Sequence, residues 1–69
     1  MKLVRFKSYT NGSILYINPE MVAAVDQYYQ EEDVSGIHTN GTSFAVHGNV
    51  ENVIQRLNAH RSPHYAGNV

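Results

Sequence analysis

The sequence contains no cysteine and no tryptophan, and only 2 of its 69 residues are proline. Without cysteine the chain can form neither a disulfide bond nor a thiolate metal site. The absence is compatible with a reducing compartment, and we expect a cytoplasmic protein. A chain of this length buries a small share of its surface, and small domains without such crosslinks often gain stability by oligomerisation. The composition therefore predicts one domain that self-associates.

Long hydrophobic runs and a strong excess of either charge are also missing. The longest uninterrupted apolar run covers residues 21–25, which is too short to cross a bilayer. The start of the chain has no apolar stretch typical of a signal peptide. The formal net charge is −1 and the pI is about 6.4, which disfavours a dedicated nucleic-acid binder. We therefore expect no membrane insertion and no dedicated nucleic-acid binding.

The few charges are segregated along the chain. Basic residues lie near the two ends, and an acidic run occupies residues 31–33. Such a run is typical of a solvated loop. The alternative is a complementary patch for a partner protein or for a second copy of the chain.

The strongest structural signal is the Asn40-Gly41 pair, which separates two runs of strand-forming residues. Asn-Gly is favoured in two-residue hairpin loops of type I′, because this turn needs φ > 0 at both central positions. Counting outward from the loop, His38 faces Ser43. Side chains alternate between the faces of a strand, so the same count predicts one core-facing set and one opposite set. The core-facing set is Ile37, Phe44 and Val46, and the opposite set is His38, Ala45 and His47.

A second Asn-Gly pair, Asn11-Gly12, predicts a first hairpin with strands over 2–9 and 14–17. With this pair as the loop, Phe6 faces Ile17. One face of the hairpin is apolar, and the other is amphipathic rather than polar. We expect that second face to be the interface with another copy, through Leu3, Tyr9, Ile14 and Tyr16.

The segment 18–29 can be read as a helix or as a strand. Asn18 and Pro19 suit the start of a helix, and two alanines follow, whereas the apolar residues of 21–25 alternate as in a strand. We predict one tight turn at 19–21 and then a strand over 22–29. The acidic run then forms the loop to the central hairpin.

The last third of the chain predicts one helix. Asn49 is a good N-cap, and apolar residues recur with helical spacing at Val50, Val53, Ile54 and Leu57. Pro63 makes residue 62 a helix limit. The prediction is an α+β domain over 1–61, a small antiparallel five-stranded meander covered on one face by a single C-terminal helix, with a flexible tail or docking arm over 62–69. The predicted core consists of Phe6, Leu15, Ile17, Ile37, Phe44, Val46, Val53, Ile54 and Leu57.

These elements also carry a family resemblance. The motifs are INPE at 17–20, VAAV at 22–25, Asn40-Gly41 with the strand after it, and VENVI at 50–54. Together they resemble the small flagellar-operon proteins of the FlbD type, over about residues 3–58. The resemblance implies a compact non-enzymatic domain of bacterial or phage origin and supplies no catalytic motif.

A weaker resemblance is to the LytTR-type DNA-binding domain. It rests on ILYI at 14–17, IHTNG at 37–41 and His60-Arg61-Ser62. This chain is shorter than such a domain, and Pro63 stands where that family continues with a strand.

The residues give little support to catalysis or to metal binding. His38 and His47 share a face but are offset by several residues, and Pro63 interrupts the helical spacing of His60 and His64. No nucleophile motif, catalytic triad, phosphate loop or dinucleotide fingerprint is visible. We therefore expect no enzyme, no metal and no cofactor.

The C-terminal residues Arg56, His60, Arg61, His64 and Tyr65 form a candidate anion site. Arginine binds phosphate in a bidentate fashion, histidine adds donors, and tyrosine can stack on a base. The alternative is a solvated helix end whose cations complement the helix dipole.

Two functions therefore remain open from the sequence. The leading hypothesis is a non-enzymatic interaction module that acts as a homo-oligomer, most simply a twofold dimer; its candidate partners are a second copy of itself and another protein. The alternative is a phage-type protein that sequesters an anionic nucleotide between subunits.

Overall fold

The structure is a computed structural model, and it describes residues 2–60. Its elements in chain order are β1 (Val4–Lys7), β2 (Ile14–Ile17), a 3-10 turn (Pro19–Met21), β3 (Val22–Tyr28), β4 (Glu31–Thr39), β5 (Thr42–His47) and α1 (Val50–Asn58). The α+β class is confirmed. The tight turn at 19–21 and the strand after it are confirmed as well. The Asn18 side chain caps the start of the turn by accepting a hydrogen bond from the Glu20 amide at 3.0 Å, and the Val22 amide closes it by donating to the Pro19 carbonyl.

The five strands form two antiparallel sheets, and the predicted single meander is therefore wrong. One sheet contains β1 and β2, and the other contains β3, β4 and β5 in that order. The link between β2 and β3 is a 3-10 turn rather than a hairpin loop. The two sheets meet where Ser8 forms an isolated antiparallel bridge to Val46 and the Tyr9 amide donates to the Ala45 carbonyl at 2.8 Å. The end of the first strand therefore adjoins the last strand.

The first hairpin has a different register from the predicted one. Phe6 lies opposite Leu15, and Val4 lies opposite Ile17, so the pairing is shifted by two residues. A shift of two leaves every side chain on its predicted face, because the side-chain period of a strand is two. The core-facing and outward-facing sets of this hairpin are therefore as predicted.

The shift arises in the loop of the first hairpin. The Asn11 side chain accepts hydrogen bonds from the Ser13 amide at 3.0 Å and from the Ser13 hydroxyl at 2.7 Å. The Ser8 amide donates to the Ser13 carbonyl at 2.7 Å, so the loop has four residues instead of two. Of the Asn-Gly pair only Gly12 has a positive φ, of 74°, and a type I′ turn is excluded.

The central hairpin has the predicted register. His38 lies opposite Ser43, and Ile37 lies opposite Phe44. The turn type is nevertheless not I′, because Gly41 has a φ of 93° while Asn40 is not in the positive region. The register was predictable because the loop length alone decides it.

The acidic run belongs to a strand and not to a loop, contrary to the prediction. β4 begins at Glu31, which lies opposite Tyr28, and the hairpin between β3 and β4 turns at Tyr29 and Gln30. Register irregularities interrupt this pairing after Gln27. The three acidic side chains are exposed along this first part of β4, which explains how a charged run is accommodated in a strand.

The core lies between the inner faces of the two sheets and α1. Its buried members are Val4, Phe6, Ile17, Ile37, Val46, Val53 and Leu57. Leu15 and Phe44 are only partly buried against this cluster, and the prediction of Ile54 as a core residue is wrong, because its side chain is 39% exposed. The buried helix residues are Val53 and Leu57, which are one turn apart, so the helix buries a narrower stripe than the sequence pattern indicates. No helix within residues 2–60 is long and apolar enough to cross a membrane.

Candidate functional site on the outer face of the sheet

The three-stranded sheet has a core-facing side and an opposite side, which we call the outer face. Residues that lie directly opposite one another in neighbouring strands share a face, so the regular pairing of 24–27 with 35–38 and of β4 with β5 assigns the outer face. Its members include Ala24, Asp26, Gly36, His38, Ser43, Ala45 and His47. The polar members of this set form the most organised hydrogen-bond cluster of the described residues.

A row of three hydrogen-bonded side chains crosses the outer face. His38 stands at its centre on β4, with its Nδ1 atom 2.7 Å from the Ser43 hydroxyl and its Nε2 atom 3.0 Å from Oδ1 of Asp26. An ionised carboxylate only accepts hydrogen bonds, so the Nε2 atom carries a proton and donates the hydrogen bond to Asp26. Nδ1 of a neutral imidazole is then the acceptor, and the Ser43 hydroxyl donates to it. We call these three residues the polar row.

Gly36 has no side chain, and the Asp26 and His38 side chains occupy the space beside it. It is buried in the middle of β4 and lies opposite Asp26. A Cβ atom added to it would stand 2.5 Å from the Asp26 Oδ1 atom and 3.2 Å from the His38 Nε2 atom. Glycine inside a strand weakens the strand and often marks a close approach. Here the approach is that of the Asp26 carboxylate to the imidazole across the strand.

The polar row has the connectivity of a Ser–His–Asp triad but not its environment. In hydrolases the aspartate is buried, and preorganised dipoles act in a site from which water is excluded. Here the Asp26 side chain is 64% exposed and the His38 side chain is 37% exposed. Water therefore screens the interaction between the Asp26 carboxylate and the His38 ring.

An aromatic cluster adjoins the polar row at the end of the sheet. The ring centroids of Tyr9 lie 5.6 Å from Tyr28 and 5.4 Å from His47, and Tyr28 contacts Tyr29 edge-to-face at 4.6 Å. Val34 lies opposite His47 and is buried, although it is not part of the main core. The four residues in ring contact, Tyr9, Tyr28, Tyr29 and His47, form what we call the aromatic cluster.

Tyr29 is the most exposed of the three tyrosines in the aromatic cluster. Its side chain is 82% exposed, and it is the one non-glycine residue between 2 and 60 with a positive φ, of 52°. Its backbone carbonyl accepts a hydrogen bond from the side-chain amide of Gln27 at 3.3 Å. A bulky residue in the left-handed region is strained, and such strain is often found at binding sites.

Between the polar row and the aromatic cluster lies an open groove of about 530 Å³. We call it the outer groove, and it is lined by Thr10, Asp26, Gln27, Tyr28, Tyr29, Gly36, His38, Ser43, Phe44 and Ala45. The one acidic or basic residue among these, histidine aside, is Asp26. The groove therefore combines tyrosine rings, hydrogen-bonding groups and one negative charge.

The predicted anion site is described only in part. The Arg56 guanidinium lies 4.4 Å above the Phe6 ring and donates a hydrogen bond to the Arg5 carbonyl. The Nδ1 atom of His60 lies 2.9 Å from the Arg56 carbonyl, at the end of the helix. Both side chains therefore have structural contacts. The remaining predicted residues, Arg61, His64 and Tyr65, and the proposed tail over 62–69, lie outside the described residues, so binding of an anion or a nucleotide stays a prediction.

The residues predicted to form an interface are all exposed. Leu3, Ile14 and Tyr16 lie on the outward side of the first hairpin, where Tyr16 is 62% exposed. Tyr9 is exposed as well, but its ring contacts Tyr28 and His47 of the three-stranded sheet. The structure thus separates Tyr9 from the three residues with which it was grouped.

Comparisons with known proteins add no family. A scan against protein-family models and searches of curated proteins and of solved structures found no match to this chain. The resemblances to the FlbD-type and LytTR-type families stay predictions. Within residues 2–60 no group of three or more histidine, aspartate or glutamate side chains is placed to hold a metal ion.

The sequence reasoning missed the polar row as a site. Asp26 and His38 are 12 residues apart in the chain and meet only through the pairing of β3 with β4. A signal was nevertheless present. The central hairpin already placed His38 opposite Ser43, and a glycine in the middle of a strand at position 36 is unusual enough to indicate a close approach.

Proposed function

We propose that this chain is a non-enzymatic interaction module that acts as a twofold homodimer. The observation that carries the proposal is the outward side of the first hairpin, where Leu3, Ile14 and Tyr16 are exposed on a two-stranded sheet. Contiguous apolar residues of this kind mark interaction surfaces on small proteins. Tyrosine suits such a surface, because its ring is apolar while its hydroxyl can stay in water. We call this side, with Arg5 and Lys7, the hairpin face.

The charges of the chain support a second copy as the partner. Arg5 lies opposite Tyr16 and Lys7 lies opposite Ile14, so two cations flank the apolar residues of the hairpin face. Elsewhere on the surface, the start of β4 presents three exposed acidic side chains, Glu31, Glu32 and Asp33. In a twofold dimer each contact occurs twice, so the cations of one copy can pair with the acidic residues of the other and the reverse. Such pairs fix the orientation of the copies more than their affinity.

Sedimentation equilibrium at micromolar concentration tests the dimer. We expect a particle of twice 7.8 kDa for the wild type and of 7.8 kDa for Tyr16→Asp, with the circular dichroism of the fold retained in both. Tyr29→Asp is the matched control, because Tyr29 is also exposed but lies outside the hairpin face. A wild-type mass of 7.8 kDa would refute the dimer. Dissociation by both variants alike would place the interface elsewhere.

A further inference from the structure

We propose that the outer groove binds a guanidinium group, the arginine side chain of a partner protein, between the carboxylate of Asp26 and the ring of Tyr29. This site is separate from the hairpin face and does not depend on dimerisation. Three features of the groove carry the proposal: its charge, its exposed aromatic rings and the way in which the carboxylate is held.

The charge of the groove selects a cation. Asp26 is the one acidic or basic residue that lines it, histidine aside, so an anionic ligand would meet a negative charge with no lysine or arginine to offset it. Within the described residues the hydrogen bond of the Asp26 carboxylate is the one from His38 to Oδ1. The two carboxylate oxygens together have about four acceptor positions, so both can still accept the paired N–H groups of a guanidinium.

The aromatic rings favour a guanidinium over an ammonium group. Tyr28 is two residues from Asp26 on β3, and both residues line the outer groove. Tyr29 stands edge-to-face against Tyr28 and leaves most of its own ring in solvent. A planar guanidinium can pair with a carboxylate at one edge and stack on an aromatic ring with its flat side, whereas a lysine ammonium acts as a point charge.

The polar row holds the carboxylate in place before a ligand arrives. His38 donates to Asp26, and Ser43 donates to His38, so side chains from β4 and β5 fix the orientation of the carboxylate on β3. Fixing a polar group in its binding geometry reduces the entropy lost on binding. His38 is therefore a positioning residue, and Gly36 supplies the space that this arrangement needs.

The test is a titration of the full-length ¹⁵N-labelled protein with the peptide acetyl-Gly-Arg-Gly-amide, followed by two-dimensional NMR. The peptide acetyl-Gly-citrulline-Gly-amide is the control, since citrulline has nearly the same shape as arginine but no charge. We expect amide shifts concentrated at residues 26–29, 36 and 43 with the arginine peptide and at least tenfold weaker binding of the citrulline peptide. Equal affinities, or shifts confined to other regions, would overturn the proposal.

Three variants assign the roles within the groove. Asp26→Asn keeps the shape and the hydrogen bond from His38 but removes the charge, and it should weaken arginine binding about tenfold. Tyr29→Asn tolerates the left-handed backbone but removes the ring, and it should weaken binding about 2–5-fold. His38→Ala should weaken binding although Asp26 is intact, and His38→Gln, which can still donate to the carboxylate, should restore part of the affinity. Unchanged binding in Asp26→Asn would overturn the site, and no rescue by His38→Gln would overturn the positioning role.

A fourth variant distinguishes a partner protein from a second copy. Arg5 of a second copy is the competing occupant, because it is an exposed arginine on the hairpin face, whereas the Arg56 guanidinium contacts Phe6 and the Arg5 carbonyl of its own copy. If the groove is free for a partner protein, Arg5→Gln should bind the arginine peptide as the wild type does. Tighter binding by Arg5→Gln would show that a second copy fills the groove and would overturn the assignment to another protein. A wild-type protein that sediments at 7.8 kDa and still binds the arginine peptide would refute the homodimer and leave this site supported.

Discussion

Gly36 and Asp26 lie opposite one another in β4 and β3, and the Cβ that glycine lacks would stand 2.5 Å from the Asp26 carboxylate. The atoms in the way are the ends of the Asp26 and His38 side chains, which can move aside. Gly36 is not in the positive-φ region, so alanine fits its backbone. The absence of a side chain at position 36 therefore makes room for the hydrogen bond between Asp26 and His38.

We predict that Gly36→Ala disrupts the polar row but changes the free energy of unfolding little. Alanine should stabilise by about 0.4–1 kcal/mol through the unfolded chain, and the displaced hydrogen bond should cost about 0.5–1.5 kcal/mol. Urea unfolding should therefore change by no more than about 1 kcal/mol. Nitrogen NMR of the His38 ring should at the same time show that the fixed tautomer is lost. An unchanged ring spectrum in Gly36→Ala would contradict the assigned cause of the glycine.

The two phenylalanines give a second prediction, because they differ in burial. Phe6 is 2% exposed in the core, whereas Phe44 is partly buried at its edge. Phe6→Ala should cost about 3–5 kcal/mol, which approaches the whole stability of a domain of this size. Phe44→Ala should cost about half as much and leave a cooperative unfolding transition. Urea titrations of the two variants compare them, and a larger loss in Phe44→Ala would refute the described core.

The third prediction concerns Arg56, whose guanidinium lies over Phe6 and donates to the Arg5 carbonyl. Arg56→Ala should lower the free energy of unfolding by about 1–2 kcal/mol, since it removes a cation–π contact and a hydrogen bond. Gln55→Ala is the matched control, because Gln55 is an exposed long side chain on the same helix. Equal effects of the two substitutions on the unfolding midpoint would show that the contacts of Arg56 add no stability.

How far the sequence predicts this fold depends on how local each feature is. The register of the central hairpin follows from a two-residue loop, and the turn at Pro19 follows from the capping by Asn18. The first hairpin was misread by two residues, because Asn11 uses its side chain to bond Ser13 and lengthens the loop. Propensities do not reveal such a choice between two turns.

The remaining differences arise from contacts between distant parts of the chain. The bridge between Ser8 and Val46 joins the first hairpin to β5, and no local pattern encodes it. The exposed start of β4 shows that a charged run can continue a strand where its neighbour supplies hydrogen bonds. The candidate site is of the same kind, since Asp26 reaches His38 only after β3 and β4 are in register.

The contacts that join the two ends of the chain also constrain the order of folding. Arg56 reaches back 51 residues to the Arg5 carbonyl, and Ser8 pairs with Val46. Closing such long loops costs entropy before any contact forms, so a high contact order slows folding. During synthesis the central hairpin can form early, because its strands are adjacent. The Phe6 ring, by contrast, stays accessible to solvent until α1 has been synthesised, because Arg56 of that helix covers it.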